Sequence, residues 1–171
     1  MSNENKWTDE IFNILREWDV IQFSHVPDAG HKALIQKTIE DPNVHSIPLS
    51  TEEEGVAMLV GAHLGLKRGV VLMQSSGVGN CINTFQYVRN EKYPMLILVS
   101  MRGDFGERIP WQFGMGQIVR PIFETCGFIC MKIEKREDVS SKLQAACNMV
   151  FRGRQAVAVL LSQRLLGAKM I

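Results

Sequence analysis

Gly69-Val70-Val71-Leu72-Met73-Gln74-Ser75-Ser76-Gly77-Val78-Gly79-Asn80 runs from an unbroken apolar stretch into a turn with two glycines. A short apolar run without alternation is a strand covered on both faces. The turn hands the chain to a helix that the pattern carries through Arg89. Glycine at such a turn permits positive φ and close approach of backbone to a ligand, or only a tight turn. The residues alone leave both readings open. The motif is not a dinucleotide fingerprint, because the third glycine is missing and no acid ends the next strand. Nor is it a P-loop, since no Gly-Lys-Ser/Thr follows.

Outward from this stretch the same alternation repeats. Trp7, Ile11, Ile14, Leu15 and Trp18 recur at helical spacing. Residues 20–23 then read as a strand, ended by Val26-Pro27-Asp28-Ala29-Gly30. Ala33, Leu34, Ile35 and Ile39 predict a helix that Asp41-Pro42-Asn43 stops. A strand over 44–49 follows, with Ser50 or Thr51 placed to cap a helix running to about Lys67. Beyond Arg89, residues 94–100 form the most apolar strand, expected to be central. A glycine-dotted loop over 101–113 precedes a helix over 117–126 and a strand over 128–133. The last helix spans 136–152 and the last strand 156–161. Six strands alternating with helices predict an α/β chain: three layers, α/β/α, around a six-stranded parallel sheet. Residues 1–171 read as one domain, without repeats or an internal linker. In such a sheet, function lies beyond the carboxyl ends of the strands. Here those ends lead into Val26-Pro27-Asp28, Thr51-Glu52-Glu53-Glu54, Ser75 to Asn80, and Met101-Arg102-Gly103-Asp104.

Composition sets limits on partners. The chain is 46% hydrophobic and 22% charged with a formal net charge of +1, so it offers no strong field to a nucleic acid or an anionic membrane. No apolar run reaches the length of a bilayer span, and the first residues do not read as a signal peptide; a cytoplasmic location is the expectation. Cys81, Cys126, Cys130 and Cys147 each lie in apolar stretches without a C-x-x-C pair or nearby metal partners, and are expected to be reduced core thiols.

Glu52, Glu53 and Glu54 open a helix otherwise rich in small residues: Gly55, Ala57, Gly61, Ala62 and Gly65. Acids in a first turn suit the helix dipole and need no further role. Yet a helix of small residues can pack very closely, and an acid at its start points at the strand-end crevice.

The order Glu52-Glu53-Glu54-Gly55, Gly61-Ala62, then Leu72 to Asn80 resembles the pyrimidine-binding domain of thiamin-diphosphate decarboxylases. It looks most like the alpha subunit of sulfopyruvate decarboxylase and the matching part of phosphonopyruvate decarboxylase. Val26-Pro27-Asp28 and Met101-Arg102-Gly103 also fit, so the resemblance covers about residues 23–161. It implies a glutamate that contacts a pyrimidine ring nitrogen and promotes the imino tautomer, which takes the proton from the thiazolium carbon. The cofactor then accepts the electrons left behind by departing carbon dioxide. The family pattern places this acid nine positions before a helix glycine; counting from Gly61 gives Glu52, with Glu53 the runner-up. Gln74, Ser75, Ser76, Gly77, Gly79 and Asn80 are implied to line the pyrimidine pocket.

The resemblance also implies what else the site needs. Asp28, His25, His31 and Arg102 are expected near the substrate, with His31 a candidate proton relay. A surface or satisfied role remains open for each histidine, as it does for Arg102 and Arg108. Relatives usually carry Ser after Val-Pro-Asp, where this chain has Ala29-Gly30-His31. The diphosphate and Mg2+ are gripped in this family through Gly-Asp-Gly and a later Asn. This chain has no such motif, and Gly103-Asp104-Phe105-Gly106 is no substitute. No metal ligand is therefore expected here. A beta subunit carrying Gly-Asp-Gly would complete the site, in an α2β2 or larger assembly. The implied substrate is a 2-oxo acid, an anionic 3-substituted pyruvate. A carboligase subunit, a decarboxylase of another 2-oxo acid and a non-catalytic subunit of the same fold are the alternatives.

Overall fold

The computed structural model of the chain describes residues 6–167. Six strands form one sheet: β1 (Val20–His25), β2 (His45–Pro48), β3 (Arg68–Gln74), β4 (Met95–Ser100), β5 (Ile129–Ile133) and β6 (Ala156–Leu161). Their order is β2-β1-β3-β4-β6-β5, and every pairing is parallel. Residues of β4 and β6 are buried throughout, whereas the edge strands β2 and β5 are partly exposed. The expected α/β/α sheet is thus present, with β4 at its centre.

Alternation along the inner strands divides the core in two. Val70, Leu72, Leu96, Leu98, Val157 and Val159 face one layer, built from α1 (Lys6–Glu17), α2 (Lys32–Glu40) and α6 (Val139–Phe151). Val71, Met73, Ile97, Val99, Ala158 and Leu160 face the other, built mainly from α3 (Glu52–Leu64) and α5 (Pro110–Thr125). Side chains two apart on a strand share a face, so the middle of each central strand is apolar on both faces. Phe85, Phe123 and Phe128 knit the second layer, with ring centroids 5.0–5.1 Å apart. The chain leaves β1 outward to β2 and returns past it to β3. The crevice between the carboxyl ends of β1 and β3 is therefore a topological switch point.

Several boundaries differ from those read in the sequence. The turn after β3 is a 3-10 helix, Ser75–Cys81, and the following α4 is only Gln86–Arg89. The Thr84 hydroxyl donates to the Cys81 carbonyl at 2.9 Å, a local bond that competes with a continuous helix. Helix α5 starts at Pro110, not near residue 117; a proline in the first turn lacks an N–H that would have no partner there. Its Gly114 and Gly116 had the look of loop residues. Gly116 instead lies where a β-carbon would meet the Arg102 carbonyl oxygen at 2.2 Å, so the helix packs directly on the loop after β4. Helix α3 stops at Leu64, and a short α7 (Gln163–Leu166) follows β6.

Candidate active site

The three acids at the start of α3 have three different fates. Glu54 turns back, its Oε2 accepting from the Ser50 amide at 2.8 Å. Thr51 occupies the cap position, but its hydroxyl makes no cap bond. Glu53 is exposed. Glu52 is buried, 8% exposed, and points into the turn after β3. Its Oε2 accepts from Asn80 Nδ2 at 2.9 Å, while Oε1 has no hydrogen-bond partner among the described residues.

Gly77 makes this placement possible. A β-carbon there would lie 2.2 Å from Glu52 Cδ. Neither Gly77 nor Gly79 has a positive φ. The glycine at 77 is thus required by close approach of the glutamate rather than by a left-handed turn. Gly79 is less confined: a β-carbon there would stand 3.4 Å from Met115 Cε. Cys81, at the end of the same 3-10 helix, is buried; burial, with Glu52 and Glu53 nearby, pushes its thiol up to about 12. It is therefore an inert thiol at neutral pH. Cys126 and Cys147 are also buried and all four cysteines are free.

The ends of β1, β3 and β4 meet at Asp28. Its Oδ2 accepts from the Ser100 hydroxyl at 2.5 Å and from the amides of Gly30 and His31 at 3.1 and 3.2 Å. Its Oδ1 accepts from Gln74 Nε2 at 3.2 Å, and Gln74 Oε1 in turn accepts from the Ser76 hydroxyl at 2.9 Å. Burial opposes ionisation of Asp28. The charge on His31 when protonated and the bonds from Ser100, Gln74 and Gly30 outweigh it, holding the carboxyl below the usual range. Gly30 packs where a β-carbon would come 2.6 Å from Ser100 Cβ, which explains a glycine in this loop. Ser75, itself buried, accepts from the Arg102 amide at 3.0 Å.

The two histidines lie deeper than the sequence suggested. His31 is 2% exposed and its Nε2 has no hydrogen-bond partner among the described residues; burial pushes its imidazole below the ordinary histidine range, against the pull of Asp28. His25 is 4% exposed, with Nε2 3.1 Å from the Ser46 hydroxyl on β2. Both are therefore buried rather than on an open surface. Arg102 lines a cavity of about 150 Å³ with Asp28, Gly30, Ser100 and Gln163. Its Nε and Nη2 donate to Glu107 at 2.6 and 2.8 Å, so most of the guanidinium is engaged within the chain. Arg108 is exposed, and its backbone amide, not its side chain, joins Glu107. Asp104 pairs with Lys132 at 2.8 Å and accepts from the Ser162 hydroxyl, so it fastens the loop to β5 and β6. No cluster of three or more His, Cys, Asp or Glu among the described residues could hold a metal.

Ser100, Glu107 and Gln163 were not singled out in the sequence. Ser100 left a signal, as the polar residue closing the most apolar strand. Glu107 and Gln163 left none, because their partners lie in loops whose paths the sequence does not fix.

No family model matches the chain. Curated relatives do. The chain is 32% identical over 151 residues to sulfopyruvate decarboxylase subunit alpha of Methanocaldococcus jannaschii, covering 88% of this chain and 89% of that one. The same subunit of Methanococcus maripaludis is 30% identical over 155 residues, covering 90% and 93%. Phosphonopyruvate decarboxylase of Streptomyces viridochromogenes is 28% identical over 132 residues, or 76% of this chain and 33% of that protein. Among solved structures, benzoylformate decarboxylase from Polynucleobacter necessarius superposes with a TM-score of 0.75 at 16% identity, over 96% of this chain and 31% of that one. A 2-oxoglutarate:ferredoxin oxidoreductase from Magnetococcus marinus gives 0.70 at 12% identity, over 95% and 29%. These two likenesses establish the fold, and the chain spans under a third of either structure's length. The near full-length similarity to the curated subunits places the chain in the family of sulfopyruvate decarboxylase alpha subunits, to which it belongs.

Proposed function

We propose that the chain is the pyrimidine-holding subunit of a thiamin-diphosphate-dependent decarboxylase acting on a pyruvate with an anionic 3-substituent, sulfonate or phosphonate. One observation carries this reading: the Glu52 carboxylate is buried at the Gly77 turn with Asn80 on one oxygen and the other oxygen free. A carboxylate so held can share a proton with a ring nitrogen. The fit to the aminopyrimidine rests on that free oxygen and on the backbone of the 3-10 helix beside it. When bound, thiamin diphosphate supplies the electron sink that lets carbon dioxide leave.

The chain's own residues orient and exclude. Asn80 fixes the Glu52 rotamer, and Gln74 with Ser76 forms the wall toward Asp28. Asp28 and Ser100 hold the loop that would cover the substrate's carboxylate end. Arg102 keeps donors beyond those given to Glu107, and these suit a sulfonate or phosphonate. This chain has no Gly-Asp-Gly, and no metal cluster lies among its described residues, so a beta subunit would bring the diphosphate and Mg2+. The outer side of α3 supports such an interface. Ala57, Gly61 and Leu64 are exposed there, and a helix apolar or small on nearly every side is one that packs on two partners. A symmetric α2β2 or larger complex follows.

The test is co-purification with a chain bearing Gly-Asp-Gly, then carbon dioxide release from 3-sulfopyruvate and 3-phosphonopyruvate with thiamin diphosphate and Mg2+. Release from one of these in preference to pyruvate is expected. A complex that takes up no thiamin diphosphate, or that prefers pyruvate, contradicts the proposal.

A further inference from the structure

The opposite, amino-terminal edge of the sheet carries a second concave feature. Helices return antiparallel to the strands, so α1, α3 and α6 all end there. The chain turns into the next strand through Asp19, Leu66 and Arg154, non-glycine residues at φ 54, 56 and 55. Left-handed backbone is disfavoured for residues with a β-carbon, so these turns are held by their surroundings. Leu66 and Arg154 line a cleft of about 330 Å³. Leu59, Met95, Val150 and Phe151 supply apolar lining. Lys67, Arg68, Arg152 and Arg154 supply charge, and no carboxylate among the described residues lines the cleft.

Helix carboxyl ends favour cations, which accounts for part of this cluster. Arg68 Nη1 donates to the Trp18 carbonyl at 2.8 Å, and its guanidinium lies 5.1 Å from the Phe151 ring centre. Arg152 lies 4.9 Å over the Trp18 ring. Arg68 approaches Asp19 only at 3.9 Å, and that carboxylate side chain is 90% exposed. Lys67 and Arg154 make no side-chain hydrogen bond or ion pair among the described residues. Two guanidinium groups are thus fixed by aromatic rings while two further cations stand unneutralised around the same hollow. Like charges gathered in one cleft repel, and an anion relieves that repulsion. The volume falls in the range of small-molecule sites, and the apolar lining suits an organic body.

We propose that this cleft binds a small phosphorylated organic anion of nucleoside monophosphate size. Its phosphate oxygens meet Arg152, Arg154 and Lys67, and its body lies against Leu59, Met95 and Phe151. The strands between this edge and Glu52 have six or seven residues, or ~20 Å, so the site is separate from the decarboxylase reading and does not rest on it.

The test uses the full chain, with its partner where the two co-purify, saturated with thiamin diphosphate and Mg2+ so that the Glu52 site is filled. AMP and inorganic phosphate are the probes, followed by calorimetry and by amide chemical shifts. AMP is expected to bind saturably, at least tenfold more tightly than phosphate, more weakly as salt rises, with shifts centred on Leu66, Arg68 and Arg154. The double variant Lys67→Ala, Arg154→Gly should weaken AMP at least tenfold. Glycine relieves the left-handed backbone at 154, so the fold is not endangered. Absence of saturable AMP binding, unchanged affinity in the double variant, or phosphate binding as tightly as AMP would overturn the proposal.

Discussion

The Glu52 carboxylate occupies the space that a side chain at Gly77 would need: a β-carbon there would lie 2.2 Å from both Cδ and Oε1 of Glu52. The two residues come from different elements, the start of α3 and the 3-10 helix after β3. Gly77→Ala must therefore push the carboxylate out of its notch. Overpacking of this kind costs about 1–3 kcal/mol. Turnover of the assembled enzyme should fall at least tenfold, while the melting temperature drops by only a few degrees. Turnover within twofold of the parent would show that the notch does not position Glu52.

Asp28 is the joint between three strand ends, and its worth can be measured. In Asp28→Asn one carboxylate oxygen becomes an amide donor facing the amides of Gly30 and His31, or the donor of Gln74. Hydrogen bonds to a charged group contribute about 1.5–3 kcal/mol. The urea unfolding free energy should drop by about 2 kcal/mol, and substrate KM should rise because the loop loosens. A loss below about 0.5 kcal/mol would mean that the loop is held by packing alone.

Acid should destabilise the chain in a defined order. Burial lowers His31, so the unfolded chain takes up a proton there first, and stability begins to fall below about pH 6.5. Asp28, Asp104 and Glu107 are held below the usual carboxylate range, the last chiefly by the hydrogen-bonded Arg102 guanidinium. Their contribution is full above about pH 4 and is lost as pH falls through the lower folded values. Glu107 is 2% exposed at its side chain, so little solvent screens the pair. Unfolding free energy of Glu107→Gln should start lower at pH 7 and decline less steeply below pH 4 than that of the parent. Parallel pH profiles would refute the assignment.

Gly116→Ala probes the seat of the loop after β4. A β-carbon there would meet the Arg102 carbonyl oxygen at 2.2 Å and Gly103 Cα at 2.8 Å, both backbone atoms. Helix propensity alone would favour alanine by about 1 kcal/mol. The collision should reverse that sign, so the variant should melt below the parent and lose activity. A variant more stable than the parent would mean that α5 can slide away from the loop.

The strands were legible because both faces of this sheet are covered. Leu96 to Val99 and Val157 to Leu160 read as unbroken apolar runs, which neither helix nor loop imitates at that length. Helix α5 begins before the point its sequence pattern predicts, because Gly114 and Gly116 weaken the helical signal, and only the tertiary contact with residues 102 and 103 explains the glycine at 116. Glu52 is the first choice by counting from Gly61 on the family pattern; the structure buries it and leaves Glu53 exposed. Ring placement for His25 and His31 was out of reach. Each stands close to Asp28 in sequence, yet one turns to Ser46 and the other inward, a choice made by strands far away in the chain.

Replacement of Glu52 by glutamine isolates the proton-sharing role proposed for its carboxylate. The change keeps the size of the side chain and a bond to Asn80, but removes the carboxylate. Decarboxylation of 3-sulfopyruvate or 3-phosphonopyruvate should be measured for Glu52→Gln and Glu53→Gln, each assembled with the partner chain and saturated with thiamin diphosphate. General acid–base groups contribute about 100- to 10,000-fold. Glu52→Gln is predicted to lose at least 100-fold in kcat with an unchanged melting temperature, and Glu53→Gln less than threefold. Full turnover by Glu52→Gln, or the larger loss in Glu53→Gln, would contradict the account.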